Sequence, residues 1–254
     1  EQLALLKPLT KWAASFKTIA ELGPAVRRAF ELSKSGVPGP VFLEIPVDLL
    51  YPEATVREWY MKEVSGAKGI AGKALQLYVK GHLYRQFHAP ALPLRLPDLE
   101  MPRFGETRTI SATAKKLRAA EKPVLVIGSQ TLVNCTDPAA LVAAVETLGI
   151  PTYLGGMARG LLGRHHPLQL RHQRGKALKE ADLVIVAGFP FDFRLGYGRS
   201  INKKATLAAA NLSATLLKKN RKPDLGVVMH PSTFLEAVAR EAGAVGNRYD
   251  AWFT

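Results

Sequence analysis

Glycine, arginine and one aspartate recur where this 254-residue chain could do chemistry on an anion. Gly128-Ser129, Gly155-Gly156 and Gly188 each follow an apolar run. Glycines there let the backbone approach a bound group closely, and amides opening a helix can hold phosphate. Met157 and Arg159 complete the glycine loop Gly155–Gly160, and Asp192 stands two residues before Arg194. Arg159 and Arg194 are cations that would neutralise a phosphate, and Asp192 would bind a ribose hydroxyl or pair with Arg194. Neither GxGxxG nor GxxxxGK[ST] occurs. The same pattern therefore fits either a nucleotide cradle or ordinary tight turns between strand and helix. His165-His166 invites a metal reading, but adjacent histidines on an extended segment point opposite ways and no acid or cysteine is close in sequence. Glu44 and Asp48 would form a dyad or cap the following turn. No Ser–His–Asp order and no HExxH is present, so no catalytic residue and no metal ligand is assigned.

The elements that would position these groups alternate. Ser111–Ala120 reads as a helix and Pro123–Ile127 as a fully apolar strand. Asp137-Pro138 is an N-cap with a first-turn proline for a helix running to Leu148, stopped by Gly149. Ile150–Leu154, Leu183–Ala187, Thr206–Ala210 and Leu225–Met229 are further strands. Helices are read over Arg174–Glu180 and from a Ser232 cap to Arg240. Apolar strands alternating with helices mean an α/β fold, a doubly wound parallel sheet over residues 111–240 with its ligand crevice at the carboxyl ends of the strands.

Residues 1–52 hold one amphipathic helix, Glu21–Ser33, and one strand, Val41–Ile45. One helix and one strand cannot bury a sheet, so this zone is expected to be part of an α/β domain whose beginning is missing. Residues 53–110 carry Pro90, Pro93, Pro97 and Pro102 and read as a long surface linker, with a helix near Lys73–Phe87. Residues 241–254 are expected to begin a linker to a further domain.

Thirty-five Lys and Arg against 21 Asp and Glu give a net charge of +14. No acid stands between Glu146 and Glu180 or between Asp192 and Asp224, while both windows are rich in Lys and Arg. Phosphorylated ligands, nucleic acid or an acidic surface would be attracted. Composition is ordinary for a globular chain, with 47% hydrophobic and 22% charged residues. The single cysteine, Cys135, excludes an internal disulfide and a Cys-rich zinc site. No apolar run reaches the roughly 20 residues of a membrane span.

Several stretches resemble one family. Gly39–Asp48 (GPVFLEIPVD) is similar to the end of the pyrimidine-binding domain in thiamine diphosphate enzymes of the acetolactate synthase type, and Leu6–Trp12 to a segment one helix earlier. Gly155–Gly163 with His166-Pro167, Phe191–Arg194 (FDFR) and Asn220–Val228 resemble that family's central domain, in the subgroup of 2-hydroxyacyl-CoA lyases. The resemblance implies a Rossmann-like central domain and a parent enzyme that makes or cleaves a carbon–carbon bond beside a carbonyl, using thiamine diphosphate and Mg²⁺. Its small-molecule substrate would be a 2-hydroxyacyl-CoA or a 2-keto acid, and its assembly a homodimer or homotetramer.

By that resemblance the activating glutamate lies upstream of residue 1, and the GDG…N motif downstream of residue 254. No GDG occurs in the chain. The chain is then expected to be a fragment without turnover of its own. Cofactor binding falls to Gly128, Ser129, Gly155, Gly156, Met157, Arg159, Gly188, Asp192 and Arg194, with an ADP-like moiety as ligand. FAD is disfavoured, since Gly188-Phe189-Pro190-Phe191 puts a proline where the FAD-binding branch has an arginine near the FDDR exit. The location implied is intracellular, with an anchor of some relatives preceding residue 1. The alternative is a free-standing basic protein that binds nucleotide or nucleic acid.

Overall fold

The computed structural model describes residues 2–88, 107–245 and 248–253. They fall into two compact units, Glu1–Met101 and Pro102–Thr254.

The first unit runs α1 (Gln2–Leu6), β1 (Trp12–Ser15), α2 (Ile19–Lys34), β2 (Val41–Glu44), α3 (Glu53–Val64) and α4 (Gly69–His88). β1 and β2 pair in parallel, Trp12 against Val41 and Ser15 against Glu44. The crossover helix α2 starts where the Glu21 carboxylate accepts from the amides of Lys17 (3.0 Å) and Thr18 (3.1 Å), so orphan amides at the helix entry are satisfied. It lays Ala25 and Ala29 inward, in a core that joins Phe16, Ala25 and Leu49 with Leu22 and Leu43 at its edge. β1 escapes sequence reasoning because WAAS is short and contains no β-branched residue.

The reading of residues 53–110 as surface linker needs correction over its described part. Residues 53–64 and 69–88 are helices, packed through Val56, Val79 and Leu83 with Tyr60, Met61 and Phe87 around them. The apolar spacing along Glu53–Val64 is interrupted by Arg57, Glu58 and Lys62, which hid the helix. Pro90, Pro93, Pro97 and Pro102 lie outside the described residues.

The second unit runs α5 (Thr107–Ala119), β3 (Pro123–Ile127), α6 (Pro138–Leu148), β4 (Thr152–Leu154), β5 (Gln169–Leu170), α7 (Arg174–Glu180), β6 (Leu183–Ala187), β7 (Thr206–Asn211), α8 (Ala214–Lys218), β8 (Leu225–Val228), α9 (Pro231–Ala242) and α10 (Asp250–Phe253). Its sheet is parallel throughout, in the order β5-β4-β3-β6-β7-β8. This is the doubly wound order 3-2-1-4-5-6, with its switch point between β3 and β6.

Every residue of β3 and β6 is buried, which is why both read as unbroken apolar runs. Alternation sends Leu125, Ile127, Ile185 and Ala208 to a core with α5, α6 and α9. Val124, Val126, Val184 and Leu207 go to the opposite core with Leu178, Phe191 and Leu217. Asp137 caps α6 by accepting from the Ala140 amide at 2.9 Å, and Gly149 ends it at φ 55°. Ser232 is not the cap of α9. His230 is, its Nδ1 accepting from the Ser232 amide at 3.3 Å while Nε2 donates to the Val133 carbonyl at 2.7 Å. Pro231 takes the first helical position.

Candidate functional site

The residues singled out at the strand ends do come together, because β3, β4 and β6 are neighbours in the sheet and each ends in glycine. At the switch point, Gly128 and Gly188 meet backbone to backbone. A Cβ on Gly128 would stand 2.4 Å from the Gly188 carbonyl oxygen, and one on Gly188 (φ +64°) 2.6 Å from the Thr131 amide nitrogen. The Gln130 amide donates to the Gly188 carbonyl at 3.2 Å, and Thr131 Oγ1 donates to the Ala187 carbonyl at 2.9 Å. These glycines therefore let the two turns touch.

Ser129 and the glycine loop are joined in the same way. Ser129 Oγ accepts from the Met157 amide at 3.1 Å, and Gly156 at φ +57° leaves no room for a side chain beside that hydroxyl. The edge of the Phe189 ring abuts Gly155, so that a Cβ there would stand 2.3 Å from Phe189 Cε2. The Arg194 guanidinium stands 5.2 Å from the centre of the Phe189 ring. Asp192 and Arg194 form a pair: Arg194 Nε donates to both carboxylate oxygens at 3.0 and 3.1 Å, and its amide donates to Oδ1 at 3.0 Å. The hydrogen bonds from the guanidinium hold the Asp192 carboxyl below the usual aspartate range, against a smaller opposing effect of burial.

The space open to a ligand lies beside these turns. A groove of about 600 Å³ runs past the carboxyl ends of β4 and β5, lined by Tyr153, Leu154, Arg159, Gln169, Leu170, Arg171, Arg174 and Gly175. Three of its walls are guanidinium groups and none is a carboxylate. Arg171 donates to the Arg164 carbonyl at 2.9 Å and Arg174 to the Arg194 carbonyl, which holds each guanidinium in place at the groove. With its amide turned to suit its neighbours, Gln169 accepts from Arg171 and donates to the Gly163 carbonyl at 2.8 Å. Tyr153 donates to the His172 carbonyl at 3.0 Å, and burial pushes its hydroxyl pKa upward.

Of the residues expected at a site, Arg159 lines this groove and Met157, 62% exposed, lines a separate apolar one of about 530 Å³ with Leu132, Cys135 and Leu161. Gly128, Gly155 and Gly188 are buried in turn-to-turn packing. Arg171, Arg174 and Tyr153 were not singled out as ligand groups. The signal was available in the acid-free window 147–179, which supplies all three arginines of the groove. Arg221, in the second acid-free window, is a structural group: it donates to the carbonyls of Gly198, Ile201 and Asn202 at 2.8–3.1 Å. His166 faces Glu146, Nε2 to Oε1 3.2 Å, a contact no sequence spacing announced. Among the described residues no three His, Cys, Asp or Glu side chains gather as metal ligands.

Residues 110–238 match the family model for the central domain of thiamine pyrophosphate enzymes. The chain belongs to the thiamine pyrophosphate enzyme family. It is 44% identical to 2-hydroxyacyl-CoA lyase 2 of Caenorhabditis elegans over 96% of its own length and 39% of that protein's. It is 40% identical to the human protein of the same name over 83% of this chain and 33% of the relative. An acetolactate synthase large subunit of Mycobacterium tuberculosis shares 25% over 99% of this chain and 39% of its own. The chain thus spans a third to two-fifths of the length of the curated relatives it matches. Among solved structures, a thiamin diphosphate-dependent enzyme of Mycobacterium smegmatis superposes with a TM-score of 0.68 at 17% identity, covering 98% of this chain and 42% of that one. A thiamine diphosphate-dependent 4-hydroxybenzoylformate decarboxylase of Rhodococcus jostii gives 0.65 at 19%, covering 97% and 42%. This thiamine pyrophosphate family member therefore has the family's α/β architecture, and a free-standing basic nucleic-acid binder is not the favoured description.

Proposed function

We propose that this chain serves a thiamine diphosphate-dependent 2-hydroxyacyl-CoA lyase as its middle section, holding the ADP-like end of the substrate. The observation that carries this reading is the arginine groove beside the carboxyl ends of β4 and β5. Arg159, Arg171 and Arg174 line one concave space without a carboxylate to compete for them. Guanidinium forks match the paired oxygens of a diphosphate better than lysine does, and their rigid plane loses little freedom on binding. The step from 25% identity with an acetolactate synthase to 44% with a lyase supports the acyl-CoA branch over 2-keto acid condensation.

Thiamine diphosphate with its Mg²⁺ is assigned to other parts of the parent enzyme, because this chain spans 39% of the lyase relative's length and carries no GDG motif. The carbon–carbon chemistry is accordingly assigned to other segments of the enzyme, and this chain alone is expected to show no turnover. Its own work is binding and orientation: the groove neutralises phosphate and fixes the nucleotide, and the acyl end is left to reach elsewhere. A dimeric or tetrameric parent is part of the same proposal.

Calorimetric titration of the 254-residue chain with ADP, coenzyme A and FAD tests it. ADP and coenzyme A should bind, more weakly as salt rises, and FAD should not. Arg159→Ala and Arg174→Ala should each lower affinity about ten- to a hundredfold, the effect of removing a charge-assisted hydrogen bond. Equal binding by parent and variants, or FAD bound more tightly than ADP, would overturn the assignment.

A further inference from the structure

We propose that the outward face of α4 docks flat on an anionic lipid bilayer. The helix has two apolar sides. One, with Val79 and Leu83, packs on Val56 of α3. On the opposite side Ile70, Leu77 and Tyr84 recur at seven-residue intervals and are 91, 72 and 62% exposed. At 1.5 Å per residue they form a straight apolar line about 21 Å long. Lys73 and Lys80 run along one edge of that line and Arg85 along the other, by the 100° step of the helix.

The charge decides the occupant. From Val64 through His88 there is no acidic residue at all, while the acids of the neighbouring helix, Glu53, Glu58 and Glu63, lie on α3, where Glu53 stands 3.8 Å from His88 at the very end of α4 and away from the apolar line. An apolar line with a tyrosine, flanked by long cationic side chains and free of carboxylates, suits the headgroup layer of an anionic leaflet. There the aliphatic stems of lysine cover apolar surface while the ammonium groups meet phosphate. No helix among the described residues is long and apolar enough to cross a membrane, so the contact is with the surface. This inference is independent of the nucleotide reading and would survive its failure.

The test is sedimentation of the 254-residue chain with phosphatidylcholine vesicles, with and without phosphatidylserine. The parent should pellet with the anionic vesicles, and Leu77→Glu combined with Tyr84→Glu should lower partitioning at least about tenfold with the far-ultraviolet circular dichroism unchanged. Lys218→Ala combined with Lys219→Ala, a charge change of the same size on the other unit, should cost much less. Tyr84→Trp should add a fluorescence component that brominated lipid quenches. Unchanged pelleting of the double glutamate variant would overturn the proposal, as would an equal loss in the lysine control. A parent that ignores vesicles but forms a dimer broken by the same glutamates would give the stripe to a second copy instead.

Discussion

The parallel strands of the two units are built from similar apolar segments but reach different burial. β3 and β6 are buried at all five positions, with helices covering both faces of the sheet. β2, VFLE, is only half-buried at each of its four positions, and β1 is no better. Fourteen of the seventeen large exposed apolar or aromatic side chains among the described residues lie in the first unit. Two strands and a crossover helix offer too few neighbours to seal a parallel sheet, whereas six strands with helices on both sides seal the central ones and leave only the edge strands β5 and β8 partly open. A local sequence pattern fixes the element, and the number of neighbouring elements fixes how much of it leaves water.

The largest effects should separate the units. Urea unfolding of the chain should show two transitions, the weaker belonging to the first unit. Leu125→Ala, fully buried between β4 and β6, should lower the stronger transition by about 2–5 kcal/mol and leave the weaker in place. Leu83→Ala, equally buried between α3 and α4, should move only the weaker. One transition shifted by both substitutions would remove the distinction between the units.

A second contrast concerns glycine. Gly188→Ala should destabilise by about 2–3 kcal/mol, since it combines a left-handed backbone with a Cβ 2.6 Å from the Thr131 amide nitrogen and Oγ1. Gly66→Ala in the first unit meets nothing within 4 Å and should stay within about 0.5 kcal/mol of the parent. Chemical denaturation of the two variants reads both outcomes. Comparable losses would mean that the strand-end glycines are not held by turn-to-turn packing.

These two contrasts also mark what a sequence can say. Pro123–Ile127, Leu183–Ala187 and the Asp137-Pro138 helix entry were legible because burial on both faces leaves an unbroken apolar run and because a capping residue acts within four positions. The arginine groove was legible only as an excess of charge. Its geometry depends on β4 and β5 pairing in register, Thr152 against Gln169, which brings Arg159 to Arg171 and Arg174. The glycines looked like a phosphate cradle, yet the structure uses Gly128, Gly155 and Gly188 for close packing, and residue type alone cannot distinguish the two uses. Helix α3 and strand β1 were missed because charged or small residues interrupt the apolar periodicity that marks an element.

The smallest effect tests whether the Asp192–Arg194 pair steadies the groove. The depressed carboxyl pKa means that the folded state holds the ionised form better than the unfolded chain does. Its stabilisation is therefore present above the ordinary value of 3.8 and is lost as pH falls through the lower folded value. With Arg194 44% exposed and Asp192 27%, solvent screening limits that contribution to less than about 1 kcal/mol. Asp192→Asn should cost that much near neutral pH, and the gap to the parent should close in acid. The same turn presents the Arg194 carbonyl that Arg174 grips, so loosening it should weaken ADP binding about two- to threefold. The half-buried Arg57–Glu53 pair of the first unit is a control for general charge effects, and Glu53→Gln should leave ADP binding unchanged. Equal ADP affinity for the parent and Asp192→Asn would show that Arg174 is positioned without help from the pair.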